Sequence, residues 1–245
     1  MEYCSLSEDL FHKWSVDNLE EWFPNCIIPQ QIEDIFDLDC LPEPYLRFGA
    51  PGERIAFLTL NPGGCEEFQR RNNILSGVTI GPFEAYAQAA QQMADGYETG
   101  RRLPINAKAR GRITKMRELA EAYGQRDFFQ FELFPFHSAN LSNELVAGCE
   151  TALDQYLRTL TQHLQCFRTV WAISGAPRDG FESPKIRAFA KVLGMRLDQC
   201  QMRVLRRDGT GKPTVYLHYE TGDDRSRVIS CMRGSNQLPA NPPVI

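Results

Sequence analysis

The chain has 245 residues, and its 27 Lys and Arg against 31 Asp and Glu give a formal net charge of -4 at pH 7. Hydrophobic residues make up 42% and charged residues 24%, an ordinary globular composition that excludes disordered, collagen-like and coiled-coil chains. No apolar run approaches the roughly 18 residues that a membrane-spanning helix needs. The net acidity argues against a protein that coats nucleic acid non-specifically, but it is compatible with local basic patches.

Two features bear on the compartment. The first residues, MEYCSLSEDLFHKW, lack a basic segment followed by an apolar one, so we expect no signal peptide. The 8 cysteines are dispersed, with no C-x-x-C pair. We therefore expect reduced thiols and a cytoplasmic protein.

The first third of the chain predicts helices followed by a strand. Residues 7–38 predict one or two amphipathic helices, within a helical extension of about residues 1–45. Residues 41–51 (LPEPYLRFGAP) predict an extended lead-in. Residues 54–60 (RIAFLTL) form a continuous apolar run that ends at the turn residues N-P-G-G. This pattern is typical of a buried strand in a parallel sheet.

The rest of the chain alternates helices with strands. Helices are predicted at residues 83–96, 116–123 (ended by Gly124), 143–163 and 183–193 (capped by Ser183, with Pro184 first). Strands are predicted at residues 127–134 (ended by Pro135), 169–174 and 228–232, with a β-hairpin formed by residues 202–207 and 214–220 around D-G-T-G-K.

This alternation indicates an α/β fold in one domain, residues 1–245. We expect a three-layer α/β/α sandwich with a central, mainly parallel four-stranded sheet plus a β-hairpin insertion. In such sheets the ligand site lies beyond the carboxyl ends of the strands. The segments that follow the strands are NPGG, PFHSANL, GAPRDGF and RGSNQLPANP, all rich in polar and turn residues.

Three of these segments resemble motifs of the uracil-DNA glycosylase superfamily. L-N-P-G-G resembles its first motif, in the branch of the mismatch-specific, thymine and single-strand-selective uracil glycosylases. E-L-F-P-F-H-S-A-N-L resembles a block of bacterial members, and S-N-Q-L-P-A-N stands where the family carries its DNA-intercalating loop. The resemblance runs in order over roughly residues 54–240. It implies a DNA partner. From the chain itself we expect no membrane partner, since no apolar run is long enough to span a bilayer, and no obligate protein partner is evident.

The resemblance also implies the catalytic and base-binding residues. Asn61 would orient the hydrolytic water, and Gly63 would allow close approach of the nucleotide. His137 would donate to the leaving base or to a DNA phosphate. Phe68 or Phe83 would stack on the flipped base. The alternatives are a plain strand-ending turn at N-P-G-G, a structural histidine and core phenylalanines.

The family's iron–sulfur branches need four spaced cysteines with a C-x-x-C-like pair, which this chain lacks. We therefore expect no cluster, no metal and no other cofactor. The branch also lacks the catalytic Asp of the main uracil glycosylases, and no Asp stands beside Asn61. Slow chemistry that depends on the asparagine is the expectation.

The last loop and a basic stretch are expected to contact DNA. In the last loop Arg233, Ser235 and Asn236 would bind phosphates, and Leu238 would fill the vacated base stack; alternatively the loop caps the sheet edge. Residues 101–117 carry seven Lys or Arg and no acid. We expect this stretch, Arg110 and Arg112 in particular, to contact the DNA backbone rather than form only a solvated face.

Glu132 stands where uracil-specific relatives carry an Asn that pairs with the uracil edge. An ionised carboxylate only accepts hydrogen bonds, so it matches the exocyclic amine of cytosine and not the carbonyls of uracil. The alternative is a protonated Glu132 or one that points elsewhere. Because removal of plain cytosine would be toxic, the expected target is a modified cytosine. The superfamily includes a bacterial anti-phage enzyme that excises glucosylated hydroxymethylcytosine.

Four functions compete at this stage. The first is a monofunctional DNA glycosylase that flips and excises a modified cytosine as anti-phage defence, leaving an abasic site. The second is a uracil or thymine mismatch glycosylase of base-excision repair. The third is a non-catalytic DNA-binding module. The fourth is a hydrolase of small nucleotides, against which the basic stretch and the Leu238 loop argue.

Overall fold

A computed structural model of the chain describes residues 35–37, 40, 45–48, 55–64, 107–125, 128–139, 141–173, 183–205, 214–221, 224–230 and 238. The strands are β1 (Tyr45–Phe48), β2 (Ile55–Thr59), β3 (Phe128–Glu132), β4 (Thr169–Ile173), β5 (Gln201–Leu205), β6 (Thr214–Thr221) and β7 (Arg225–Ser230). The α-helices are α1 (Ala107–Ala122), α2 (Asn143–Ala152), α3 (Asp154–Leu164) and α4 (Pro184–Leu193). The predicted α/β class is confirmed.

The strands form one mixed, seven-stranded sheet in the order β1-β3-β2-β4-β7-β6-β5. Strands β3, β2, β4 and β7 pair in parallel, while β1, β6 and β5 join the sheet antiparallel. The predicted β5–β6 hairpin is present. The proline-rich lead-in, however, contributes an additional strand, because its prolines flank Tyr45–Phe48 and leave that segment able to pair at the sheet edge.

Two apolar cores lie on opposite faces of this sheet. On one face, alternate strand residues such as Leu58 and Phe131 pack against α2, α3 and α4. On the other face, Phe57, Phe128 and Trp171 pack against α1. Helix α1 contributes Ile113, Met116, Leu119 and Ala120, whose spacing of three and four residues gives one apolar face.

Helix boundaries follow local capping chemistry. Ser183 accepts a hydrogen bond from the Ile186 amide at 3.4 Å, Pro184 opens α4, and Gly194 ends it with φ 66. These features confirm the predicted boundaries of that helix. The predicted single helix over residues 143–163 is wrong in one respect, since α2 ends at Ala152 and α3 begins at Asp154. Leu153 between them has φ -106 and ψ 19.

The buried guanidinium of Arg227 ties β7 to the end of α3. It donates to the carbonyl oxygens of Leu164 and Phe167 at 3.3 and 3.2 Å, and to those of Arg168 and Ser226 at 3.3 and 3.0 Å. The carbonyls at the end of a helix have no intrahelical hydrogen-bond donor, so Arg227 supplies a donor to the carbonyl of Leu164, the last residue of α3. This anchor lies where β4 and β7 begin.

The prediction of reduced thiols throughout is wrong for Cys40, which is disulfide-bonded. Chain spacing could not reveal this pairing, because a disulfide needs proximity in space. Cys149, Cys166 and Cys200 remain thiols. In the described part of the chain, no helix is both long and apolar enough to span a bilayer. Most of the helices predicted over residues 7–38, and all of the one over residues 83–96, fall outside the described residues.

Candidate functional site

The end of β2 presents the Asn61 side chain. The Asn61 Nδ2 group donates to the main-chain oxygen of Ser138 at 2.8 Å. Since a carbonyl oxygen only accepts hydrogen bonds, this contact fixes the amide orientation, with Oδ1 on the side away from Ser138. Gly63 follows with φ 92, a left-handed conformation that favours glycine. Backbone conformation sets that requirement, because an added Cβ would meet no atom of the described residues within 4 Å.

The chain beyond β3 follows the end of β2 closely. The amides of Leu133 and Phe134 donate to the carbonyls of Thr59 and Leu60 at 2.7 and 2.9 Å. The segment then turns at Pro135 and brings Ser138 to Asn61. Strand β2 lies between β3 and β4, whose preceding helices pack on opposite faces of the sheet. Asn61 therefore lies at the switch point where α/β sheets bind ligands.

His137 stands next to Ser138 in the sequence and is fully buried. Its carbonyl accepts from the Asp37 amide at 2.9 Å in an isolated β-bridge. The neighbouring rings of Phe134 and Phe136 contact Phe36 at centroid distances of 6.4 and 5.6 Å. His137 is therefore buried inside the fold, next in sequence to Ser138, whose carbonyl oxygen binds Asn61.

Three polar side chains form a buried network at the carboxyl ends of β2 and β3. Thr59 Oγ1 donates to the Phe131 carbonyl at 3.3 Å. Gln130 Nε2 donates to Thr59 Oγ1 at 3.2 Å and to Glu132 Oε1 at 2.7 Å. The strand register places Thr59 opposite Glu132, and all three side chains share the sheet face that α1 covers.

Glu132 is only 1% exposed. This end of β3 is therefore shielded from solvent in the free protein. Glu132 shares its sheet face with Phe128 and Gln130, and α1 covers this face. From α3, the Tyr156 hydroxyl donates to the Glu132 carbonyl at 2.6 Å and fixes the backbone there.

The second half of the basic stretch forms α1. The helix begins at Ala107, nine residues before the predicted start. Its first turns were missed because Arg residues and Gly111 interrupt the apolar spacing from which a helix is predicted. Its first turn carries no acidic residue, although acids are favoured at a helix amino terminus. Further along, Lys115 pairs with Glu118. Glu118 thus neutralises the positive charge of Lys115 one turn further along the helix.

The orientation of α1 follows from its connection to β3. Only residues 123–127 separate the two elements, so the carboxyl end of α1 lies near the start of β3. Sixteen residues of helix span roughly 24 Å. The basic amino end therefore lies towards the carboxyl edge of the sheet, which also carries Asn61 and Glu132. Arg112 is half-buried, and its Nε is a buried atom that finds no acceptor in the described part of the molecule.

Leu238 is buried in the core beneath α1 and is 1% exposed. This position matches the expectation of a segment that caps the sheet better than that of an exposed wedge. Side-chain placements of the other predicted site residues lie outside the described part of the chain: Phe68, Phe83, Arg110 (whose backbone belongs to α1), Arg233, Ser235 and Asn236.

Sequence reasoning missed Gln130, Thr59 and Ser138 as members of this site. Gln130 and Glu132 alternate with phenylalanines in FFQFE, a period that places both polar side chains on one face of a strand. That signal was present in the sequence. The Ser138 contact had no such signal, because it uses a main-chain oxygen.

No group of three or more His, Cys, Asp or Glu side chains among the described residues is arranged to hold a metal ion. No protein-family model, curated protein or solved structure matches the chain.

Proposed function

We propose that the chain is a monofunctional DNA glycosylase that flips and hydrolytically excises a modified cytosine, leaving an abasic site. Glucosylated hydroxymethylcytosine in phage DNA is the proposed target. One observation carries the proposal: Asn61 donates to Ser138 through Nδ2, which leaves its amide oxygen as an acceptor at the carboxyl edge of the sheet, where β3 also ends at Glu132. A water orienter and a base-recognising acceptor are the two groups this reaction needs side by side.

Asn61 would act on water. Its Oδ1 accepts one water hydrogen and turns a lone pair of the water towards the anomeric carbon of the flipped nucleotide. The C–N bond breaks through an oxocarbenium-like sugar, and the electron pair leaves with the base. Water then adds to the sugar carbon, and the proton that it loses ends, through solvent, on the departing base anion. No strong base is required to begin such a reaction, because the sugar cation is itself highly electrophilic.

Glu132 would select the base. Its carboxylate accepts from the exocyclic amine of cytosine, a recognised pairing, while the carbonyl of uracil would face its lone pairs. A charged hydrogen bond in a desolvated site is worth ~1.5–3 kcal/mol, enough to dominate the choice between the two bases.

The DNA backbone would pass the basic amino end of α1. Lys108 and Arg110 belong to the opening turns of that helix, where the helix dipole also favours anions. Phosphates flanking the flipped nucleotide would bind there. The last loop would add contacts from Arg233, Ser235 and Asn236.

At the level of the whole chain, we propose a three-layer α/β/α sandwich around the parallel strands β3, β2, β4 and β7. The enzyme would act in the cytoplasm, where incoming phage DNA is exposed. Its biological role would be anti-phage defence.

A uracil or thymine mismatch glycosylase is the second candidate. The complete burial of Glu132 favours it, since a buried charge is costly and a protonated carboxyl group carries an O–H donor that uracil would accept. The first candidate is favoured by the 2.7 Å contact in which Glu132 Oε1 accepts from Gln130, because Oε1 acts there as the acceptor that the amine of cytosine requires.

The test is incubation of the protein with phage DNA that carries modified cytosine, with unmodified DNA and with uracil-containing DNA. Released bases are identified by mass spectrometry, with Asn61→Ala as the control. Release of the modified cytosine alone supports the proposal. Release of uracil alone supports the second candidate, and release of no base from any DNA contradicts both.

A further inference from the structure

The amide of Gln130 is oriented by the network around it. Thr59 uses its hydroxyl hydrogen on the Phe131 carbonyl, so Thr59 Oγ1 faces Gln130 as an acceptor. The carboxylate oxygen of Glu132 also faces Gln130 as an acceptor. Both neighbours therefore require the NH2 end of the Gln130 amide, and its two hydrogens are spent on them.

This orientation leaves Gln130 Oε1 as the remaining polar atom of the side chain. Gln130 is 1% exposed, and within the described part of the molecule Oε1 is a buried atom without a hydrogen-bond donor. Leaving a buried acceptor unsatisfied costs about 1–3 kcal/mol. A network that served only to support the strand end would be expected to satisfy this oxygen.

We infer that Gln130 Oε1 and the Glu132 carboxylate together form a paired acceptor that takes both N–H groups of one amino substituent on the bound base. The two side chains project from alternate residues of β3 on one face, with 2.7 Å between Gln130 Nε2 and Glu132 Oε1, so their acceptors lie close together. A primary amine offers two hydrogens at one nitrogen. A carbonyl oxygen offers none, and the paired acceptor repels it.

This inference rests on the proposed function and deepens it, because it makes Gln130 a second base-recognising residue and defines the substrate class as bases with an unsubstituted amino group. The N–H donation from Gln130 also orients the Glu132 carboxyl group. The recognition of the amine is thus built from both residues.

The test measures binding and does not need catalysis. Duplexes carry one central nucleotide opposite an abasic site, which lowers the cost of flipping. That nucleotide is 5-hydroxymethylcytosine, 5-hydroxymethyluracil, or 5-hydroxymethylcytosine with one methyl group on its amine. Affinities are measured by fluorescence anisotropy with Asn61→Ala, so that no base is released during the titration.

The amine-bearing duplex should bind roughly tenfold more tightly than the uracil analogue, and more tightly than the N-methylated one by a similar factor. Gln130→Met and Gln130→Leu, which remove the amide oxygen, should reduce the preference to within about twofold. The matched control Gln162→Met makes the same change at an exposed glutamine of α3 and should retain the full preference. Circular dichroism verifies that each variant is folded.

Equal binding of the three duplexes, or an unchanged preference in a folded Gln130 variant, overturns the inference. The N-methylated duplex decides the matter with Gln130 intact if neither Gln130 variant folds. If the preference is present and depends on Gln130 but the wild-type chain releases no base, the paired acceptor stands and the proposed glycosylase activity fails.

Discussion

At the residue scale, the two ends of the Asn61 amide differ in their roles: Nδ2 holds the side chain in place, and Oδ1 is the proposed acceptor for water. The Nδ2 end is bound to the Ser138 carbonyl at 2.8 Å, so the side chain does not need a ligand to hold it in place. The Oδ1 end is left on the other side. In the proposed reaction, such pre-orientation would lower the entropy lost in arranging a water.

Asn61→Ala should abolish base release while DNA affinity stays nearly unchanged, because the substitution removes the water acceptor and no phosphate contact. Positioning of one water is worth several kcal/mol of barrier, and each ~1.36 kcal/mol is tenfold in rate. The measurements are single-turnover base release and DNA binding. Activity within about tenfold of wild type would exclude Asn61 from the mechanism.

Glu132→Gln should weaken the selectivity for modified cytosine, and Glu132→Asn should also bring some activity on uracil, since an amide offers the donor that a uracil carbonyl requires. The loss on the modified substrate should be ~1.5–3 kcal/mol. Because Glu132 is buried against Gln130, both substitutions should also lower the free energy of unfolding by about 1–3 kcal/mol.

Base-release kinetics on both substrates and urea unfolding of each variant give these two quantities separately. The base-recognising role is refuted if wild type already excises uracil efficiently. It is also refuted if Glu132→Asn keeps full activity on modified cytosine.

At the scale of elements, α1 places the basic residues of its amino end on the same side of the sheet as the candidate site. Its apolar face is buried under the sheet, and its amino end lies towards the edge that carries Asn61. Basic residues in the opening turns of a helix oppose its dipole and lower helix stability slightly, and in the proposed function a DNA phosphate would offset that cost.

Charge reversal of Arg110 and Arg112 should weaken binding to all DNA sequences alike and flatten the dependence of affinity on salt, by roughly 0.9 in the log–log slope for each phosphate that the protein no longer binds. The matched control is Arg158→Glu with Arg196→Glu, which changes the net charge equally. Both of those side chains are exposed, and Arg158 belongs to α3, which packs on the sheet face opposite α1. If the two double variants have the same salt slope, the basic stretch is an ordinary solvated face.

At the scale of the whole molecule, the sequence predicted the elements whose signals are local. The strand of RIAFLTL, the capped helix α4 and the β5–β6 hairpin follow from apolar runs, caps and turn residues within a few positions. Features that depend on distant partners were missed. They include the pairing of β1 with β3, the disulfide at Cys40 and the Ser138 contact of Asn61.

For the candidate site, too, the features with local signals were predicted and those that depend on distant elements were not. Asn61 and Glu132 were identified from motifs at strand ends, and their common edge follows from the parallel register of β2 and β3. The degree of burial could not be predicted, because it depends on which elements cover the strand ends. Glu132 and Leu238 are both more buried than their expected roles suggested.

Burial also sets how the stability of the whole fold depends on pH. Desolvation in the core between the sheet and α2 raises the pKa of the Cys149 thiol from 9.0 to about 12. Desolvation likewise raises the pKa of Tyr123 from 10.0 to about 12, although the hydrogen bond that its oxygen accepts from Trp171 Nε1, at 3.1 Å, partly offsets the effect. Both groups therefore keep their protons in the folded state at a pH where the unfolded chain loses them.

Because the unfolded state binds fewer protons than the folded state above pH ~9, the free energy of unfolding should fall as pH rises from there towards about 12. Each fully titrating group contributes up to about 1.4 kcal/mol per pH unit. Cys149→Ala should make this fall shallower between pH 9 and 10, where Tyr123 contributes least. Urea unfolding at closely spaced pH values, with Cys166→Ala as the exposed-thiol control, measures the slope. If Cys149→Ala and Cys166→Ala change the slope equally, burial of Cys149 is not its cause.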